Sequence, residues 1–314
     1  MSGLRLGGAA VLCGVLAACP YLVALTNPPG SMILVYLAQL PLFAAGLWLG
    51  VGASILAGAS ASLILLAASN LIAAAAVAGL NAVPVALLVR QSLLARTSSG
   101  GGIEWYPPGR LTAWLTGLGL AMIAAIILLF GGPEGVQSAL REVLAPALNR
   151  LVVDNTLEHR ELLNLLTFVL PGIIIASWMV MTTTNGCLAQ GLLVRFGANW
   201  RPSPDLAALG LPKWVPALLA LAAVAMAFGG SPRFLGINVI IVLIVPFCLA
   251  GLAVLHTVAR RFARPAIPLV IFYVLAGLFG WPLLLAAILG LLDSSLGLRR
   301  HFAHLKLFWR SSDD

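Results

Sequence analysis

The side chains with the clearest chemical potential in this sequence are uncharged polar groups inside long apolar segments. In hydrocarbon such groups need hydrogen-bond partners, so they either join neighbouring helices or face a cavity. A cavity lined by neutral amides and hydroxyls would hydrogen-bond a small ligand. The candidate substrate-binding residues are Gln39, Asn81, Thr183, Asn185 and Asn238.

The sequence lacks the residue patterns of membrane catalysis. It has no His-Glu-x-x-His helix and no pair of aspartates within the apolar segments. The glycines at 100–102 are not followed by Lys-Ser or Lys-Thr, so they do not form a nucleotide-binding loop. His301 and His304 have helical metal-ligand spacing, but two ligands without a third are weak evidence for a site. We therefore predict no catalytic residue, no metal, no cofactor and no enzymatic activity.

Ionisable residues are also scarce at membrane depth, where a coupled pump would need them. The middle of every apolar segment lacks Asp, Glu, Lys and Arg. Asp293 is the nearest candidate, and it lies within about two helical turns of Arg299 and Arg300. We predict that Asp293 caps its helix or pairs with these arginines instead of binding substrate. Energised transport would then require a separate ATPase.

The composition is that of a polytopic membrane protein. Of the 314 residues, 61% are hydrophobic and only 9% are charged, whereas soluble domains carry about 25% charged residues. The expected fold class is all-α, a transmembrane helix bundle, because helices satisfy their own backbone hydrogen bonds in lipid. The net charge of +8 indicates membrane orientation and contact with the lipid bilayer, and no basic soluble domain is present for binding nucleic acid.

Hydrophobic patterning predicts about ten segments, or 8–10 spans, in a single integral membrane domain, 1–314. Gly280-Trp281-Pro282 predicts a break inside 266–298 that leaves two short spans or re-entrant helices, and the alternative is one uninterrupted span. The other segments lie near residues 7–25, 31–48, 51–68, 70–89, 111–131, 155–195, 214–229 and 235–258.

Arginine-rich connections place both termini in the cytoplasm by the positive-inside rule. The N-terminal four-helix half, 1–110, ends in a glycine-containing loop that we expect to be a flexible turn. The C-terminal half is 111–298, and 299–314 is a cytoplasmic tail. This pattern predicts a multi-pass protein of the bacterial inner membrane. Leu16-Ala17-Ala18-Cys19 resembles a lipoprotein cleavage site, although Pro20 favours an uncleaved first span.

Residues 132–163 form the longest polar connection, and their five acids against three arginines fit the external side. Apolar residues recur there at helical spacing, which predicts an amphipathic helix on the outer surface that Pro146 would break. The following helix, 155–195, has a capping-box start at Asn155 and Glu158. Pro171 predicts a kink within it.

Small residues line one face of the third span. Ala53, Ala57 and Ala61 recur four residues apart, and such a face permits close helix contact. The face either packs inside its own subunit or docks to a separate membrane subunit.

Several groups of residues occur in an order and spacing that resemble a known family. They are Leu40-Pro41 leading to Gly46 and Gly50, Asn238 followed by Gly251-Leu252-Ala253-Val254, and Leu289-Gly290-Leu291-Leu292-Asp293 with Arg299. Their order and spacing resemble the YybS-like family of bacterial membrane proteins of unknown function. The resemblance implies a distant relation to the S components of energy-coupling factor transporters. Those proteins bind vitamins or metal ions and dock to a shared membrane subunit through an Ala-x-x-x-Ala face, to which Ala53, Ala57 and Ala61 are similar.

Two functions follow as hypotheses. The first is a solute-binding, transporter-like subunit, similar to an S component, whose partners are another membrane subunit and a separate ATPase. The alternative is a non-enzymatic scaffold or assembly protein that binds another membrane protein through the alanine face and the external amphipathic helix.

Overall fold

The structure is a computed structural model in which residues 3–26, 28, 30–98, 100–151 and 157–299 are described. These residues form an all-α protein with one short hairpin, which confirms the predicted fold class. The helices are α1 Gly3–Leu25, α2 Ser31–Tyr36, α3 Leu40–Leu49, α4 Val51–Ala68, α5 Leu71–Val77, α6 Val83–Ser92, α7 Pro108–Leu129, α8 Pro133–Leu151, α9 Leu157–Arg195, α10 Trp214–Met226, α11 Ser231–Ala259, α12 Ala266–Phe279 and α13 Trp281–Leu296. A π-helical turn, Ala78–Ala82, joins α5 to α6, and a short 3-10 helix spans Leu206–Ala208.

The hairpin corrects the prediction of a flexible turn before residue 110. Strands β1 Ala95–Thr97 and β2 Ile103–Trp105 pair antiparallel, with Arg96 opposite Glu104. Their side chains form an ion pair of 2.7 Å. The glycines of this loop therefore make the turn of a hairpin.

Seven segments in the described part of the chain are long and apolar enough to cross a membrane. This supports a polytopic helical protein but not the predicted count of ten. The remaining apolar helices, α10, α12 and α13, are shorter. With 14 residues, α12 reaches roughly 21 Å, against about 30 Å of hydrocarbon. The predicted cap at Asn155 and residues 300–314 of the tail lie outside the described residues.

The predicted break inside 266–298 is confirmed. Helix α12 ends at Phe279, and Gly280 has a φ of 71°, a conformation that favours glycine. Pro282 then stands in the first turn of α13, where its missing N–H costs no helical bond.

The prediction that Pro146 breaks the external amphipathic helix is wrong. Helix α8 runs through Pro146, and Val136 on it is buried while Val143 is 72% exposed. Arg141 donates to the Asn164 side chain of α9 at 2.8 Å. The helix is therefore held at Val136 and Arg141, and it exposes the apolar side chain of Val143 further along.

The chain divides into two compact units. Unit one comprises Met1–Pro107 and Val180–Pro204, and unit two comprises Pro108–Met179 and Asp205–Asp314. Within unit one, Gly14 of α1 lies against the backbone of Ala57 on α4. Gly58, on the same helix, lies against Ala82 of the π-helical turn. Small residues thus permit these helices to approach closely.

Unit two is built around α11. Gly251 of α11 lies against the carbonyl of Ala286 on α13, and Gly290 of α13 lies against the carbonyl of Phe247. Both glycines come from the sequence groups that carry the family resemblance. Next to this crossing, Val215 of α10 packs with Leu243 and Ala287 in a buried apolar cluster.

We expect Gly251→Val to lower the free energy of unfolding by about 2–3 kcal/mol, because its side chain would overlap the Ala286 backbone. Thermal unfolding of the purified protein in mild detergent measures this. Gly277→Ala is the matched control, since a Cβ there meets nothing within 4 Å. Equal stability of the Gly251→Val protein and the wild type would contradict the α11–α13 crossing.

Candidate functional site

The second span, 31–49, is broken in its middle. Pro41 has no N–H to offer the carbonyl of Leu37, and that carbonyl instead accepts from the N–H of Leu40 at 3.1 Å. In a regular helix the N–H of Leu40 would bond the carbonyl of Tyr36. The break therefore leaves the Tyr36 carbonyl for another partner.

That partner is Asn185, on α9. Its Nδ2 donates to the Tyr36 carbonyl at 2.7 Å and to the Met181 carbonyl at 2.8 Å. Both amide hydrogens are thus engaged. The Oδ1 atom faces no donor among the described residues, although the Asn185 side chain is fully buried.

Gln39 is the last residue of the break, directly before α3, and its side chain bonds to the π-helical turn. Its Nε2 donates to Asn81 Oδ1 at 3.0 Å and to the Leu80 carbonyl at 3.3 Å. Asn81 also shares a hydrogen bond with the Tyr21 side chain of α1. Gln39 is fully buried, and its Oε1 has no hydrogen-bond partner among the described residues.

Gln39 and Asn81 are bonded to each other, and Asn185 bonds the carbonyl three residues before Gln39; we call these three buried amides of unit one the amide cluster. The orientation of its outer amides is fixed, because a flip would turn an oxygen towards the Tyr36 or the Leu80 carbonyl. Two carboxamide oxygens remain unpartnered in an interior where nearly all polar atoms are bonded. They are the feature of this molecule that most needs a chemical explanation.

Thr183 lies on a different face of α9 from Asn185. It lies two residues before Asn185 on α9, and residues two apart on a helix point to different faces. Its side chain is half-buried and makes its own polar contact. Its role in ligand binding stays a prediction.

Asn238 lies in unit two, where it bridges the helix backbone beside Pro171. In a regular helix the N–H of Gly172 would bond the carbonyl of Phe168. Here Gly172 donates to Asn238 Oδ1 at 2.6 Å, and Asn238 Nδ2 donates to Phe168 at 2.9 Å. The second amide hydrogen bonds the Phe234 carbonyl at 2.8 Å. Asn238 thus satisfies the chain next to a proline, and a ligand-binding role for it stays a prediction.

The alanine face of α4 is covered within unit one. Ala57 and Ala61 are fully buried, Ala53 is half-buried, and α1 packs on Ala57 through Gly14. This is the arrangement expected if the face packs inside its own subunit. A partner-docking role stays a prediction, and it would require α1 to move away.

Arg201 is a buried residue whose role sequence reasoning missed. It is 5% exposed, and its guanidinium donates to the carbonyls of Ser92 and Tyr106, both at 2.9 Å. Burial lowers the pKa of Arg201 from its ordinary value. Ser92 ends α6, where the helix dipole favours a cation. The sequence showed only a basic residue in a connection, because its carbonyl partners are distant along the chain.

Asp293 pairs with Arg299, as predicted. The Arg299 backbone N–H donates to Oδ1 at 2.9 Å, and its Nε donates to Oδ2 at 2.8 Å. The guanidinium also donates to the carbonyls of Ala207 and Leu209, at 2.7 and 2.6 Å. This clamp ties the end of α13 to the connection before α10. No group of three or more His, Cys, Asp or Glu side chains that would hold a metal occurs among the described residues.

A family model described as "Predicted membrane protein (DUF2232)" matches residues 15–294. No curated protein and no solved structure matches the chain.

We expect Asn238→Leu to lower the free energy of unfolding by about 2–3 kcal/mol, because buried backbone groups of Gly172 and Phe168 lose their partner. In a Pro171→Ala background the same change should cost at least about 1 kcal/mol less, since the helix can close its own bonds there. Detergent denaturation of the four proteins measures this coupling. Additive effects of the two substitutions would exclude it.

We expect Arg299→Met to lower the free energy of unfolding by about 3 kcal/mol, because it leaves the buried Asp293 carboxylate unpaired. Arg299→Lys should restore only part of the loss, since one ammonium cannot reproduce the guanidinium fork. Arg96→Met is the control, because its ion pair is exposed and should contribute little. Similar thermal stability of all these variants would rule out the clamp.

Proposed function

The chain belongs to the DUF2232 family of predicted membrane proteins, the YybS-like family that its sequence resembles, and we propose that it binds a small solute through the amide cluster of unit one. In this proposal the protein is a non-enzymatic, transporter-like membrane subunit, similar in kind to an S component.

The observation that carries the proposal is the pair of buried, unpartnered oxygens, Gln39 Oε1 and Asn185 Oδ1. Leaving a buried acceptor without a donor destabilises the fold, and a bound ligand that supplies donors removes this penalty. The surroundings support a binding role. Transporter sites lie at discontinuous membrane helices, and π-helical turns are frequent at functional sites.

The energy for transport would come from elsewhere. The middles of the apolar segments hold no ionisable residue that could couple a proton, and the sequence has no nucleotide-binding loop. We therefore propose a second membrane subunit and a separate ATPase as partners. The arginine-rich connections support cytoplasmic termini in a bacterial inner membrane, with α10, α12 and α13 completing ten membrane-embedded segments.

A scaffold or assembly role is the alternative. One observation favours it, the exposed apolar side chain of Val143 on the amphipathic helix α8. The alanine face contributes less to this alternative, because Ala57 and Ala61 are already covered.

The test is native mass spectrometry of the protein purified from its own membranes in mild detergent. We expect a small molecule at up to one copy per chain in the wild type, and its loss in Gln39→Leu and in Asn185→Leu. Asn70→Ala is the matched control, because this amide caps α5 outside the cluster and its loss should leave the ligand in place. A stoichiometric membrane protein partner with no small molecule would support the scaffold instead.

A further inference from the structure

We infer that the solute held by the amide cluster is an uncharged molecule with at least two hydrogen-bond donors, N–H or O–H groups. This inference rests on the proposed binding function and names the chemical class of its ligand.

The two unpartnered atoms of the cluster, Gln39 Oε1 and Asn185 Oδ1, are both acceptors. Gln39 Nε2 donates its two hydrogens to Asn81 Oδ1 and to the carbonyl of Leu80. Asn185 Nδ2 donates its two hydrogens to the carbonyls of Tyr36 and Met181. The amide donors of both residues are therefore engaged, and each amide keeps its oxygen. A carboxylate or a phosphate would meet two lone-pair oxygens, so the cluster does not suit an anion.

Charge balance excludes a cation on similar grounds. The apolar segments that carry Gln39, Asn81 and Asn185 have no Asp or Glu near these residues. An ion buried without a counter-charge loses its hydration and gains little in return. Two neutral oxygens are a poor substitute for the full oxygen shell that a hard cation needs. A neutral molecule that carries hydrogen-bond donors avoids this cost of desolvating a charge.

Both oxygens belong to side chains at the break of the second span. Asn185 is bonded to the carbonyl of Tyr36, and Gln39 follows Tyr36 by three residues, directly before α3. In the proposed site one ligand donates to both oxygens, from α9 and from the start of α3 within unit one.

Asn238 provides an internal comparison. Its Oδ1 accepts from Gly172, and its amide hydrogens bond Phe168 and Phe234, so all of its polar atoms are engaged by the protein. The fold can thus satisfy a buried asparagine completely. Asn185 differs, because both of its amide hydrogens are bonded while its oxygen has no partner among the described residues.

The experiment determines the formula and charge of the molecule recovered from the wild-type protein. We expect a neutral compound with at least two N–H or O–H groups. Its analogue methylated at these groups should bind at least about tenfold more weakly, since each lost donor removes a hydrogen bond to a buried acceptor. This comparison uses the unaltered protein, so it does not depend on whether the leucine variants fold. Replacing Na⁺ and K⁺ by choline should leave the melting temperature unchanged.

The outcomes separate the two proposals. Recovery of an anion, or equal binding of the methylated analogue, would overturn the donor class and leave solute binding intact. A fall in melting temperature in choline, seen in the wild type and absent in Gln39→Leu, would identify a cation and overturn the inference in the same way. Recovery of no small molecule would overturn both proposals, with water alone then occupying the cluster.

Discussion

The structure depends on one constraint, that a backbone group released inside an apolar interior must be bonded by another part of the protein. Among the prolines that interrupt helical bonding, Pro41 and Pro171 are two beside which an asparagine bonds the backbone. In each case an asparagine from another stretch of helix supplies the bonds, Asn185 in unit one and Asn238 in unit two. Beside Pro171 the Asn238 amide bonds both a donor and an acceptor of the backbone. Beside Pro41 the Asn185 amide bonds a carbonyl through its nitrogen, and its oxygen has no partner among the described residues. The proposed site is built on that oxygen.

Close helix contact and arginine clamps hold the polar elements in place. The glycine crossings in each unit bring backbones together without a side chain between them. At the helix ends, Arg201 and Arg299 each bond two backbone carbonyls of a connection. A guanidinium suits this task, because its donors spread over a planar fork. Each of these two arginines thus bonds carbonyls that lie outside regular helical hydrogen bonding and holds the connection in place.

The sequence predicted the local elements well, since they follow from local chemistry. The third span was expected at 51–68 and is Val51–Ala68, and the break at Gly280 follows from a glycine and a proline in succession. The interactions that the sequence did not predict are tertiary contacts between residues far apart along the chain. Asn238 was grouped with Gln39 as a candidate site residue, and the bonds that it makes to the backbone beside Pro171 leave no local pattern in the sequence. Arg201 looked like a surface charge, because partners 95 and 109 residues away leave no local pattern.

Helix α12 has a consequence for the surrounding lipid. Most of its apolar side chains are exposed, and Ala276 is its one buried residue, although α11 contacts it through the hydrogen bond between His256 and Tyr273. At 14 residues it is roughly 9 Å shorter than the hydrocarbon layer. A bilayer that accommodates it end to end must thin locally, at a fraction of a kilocalorie per mole for each ångström of mismatch. Such a crossing would depend on lipid acyl-chain length more strongly than the seven long apolar segments do.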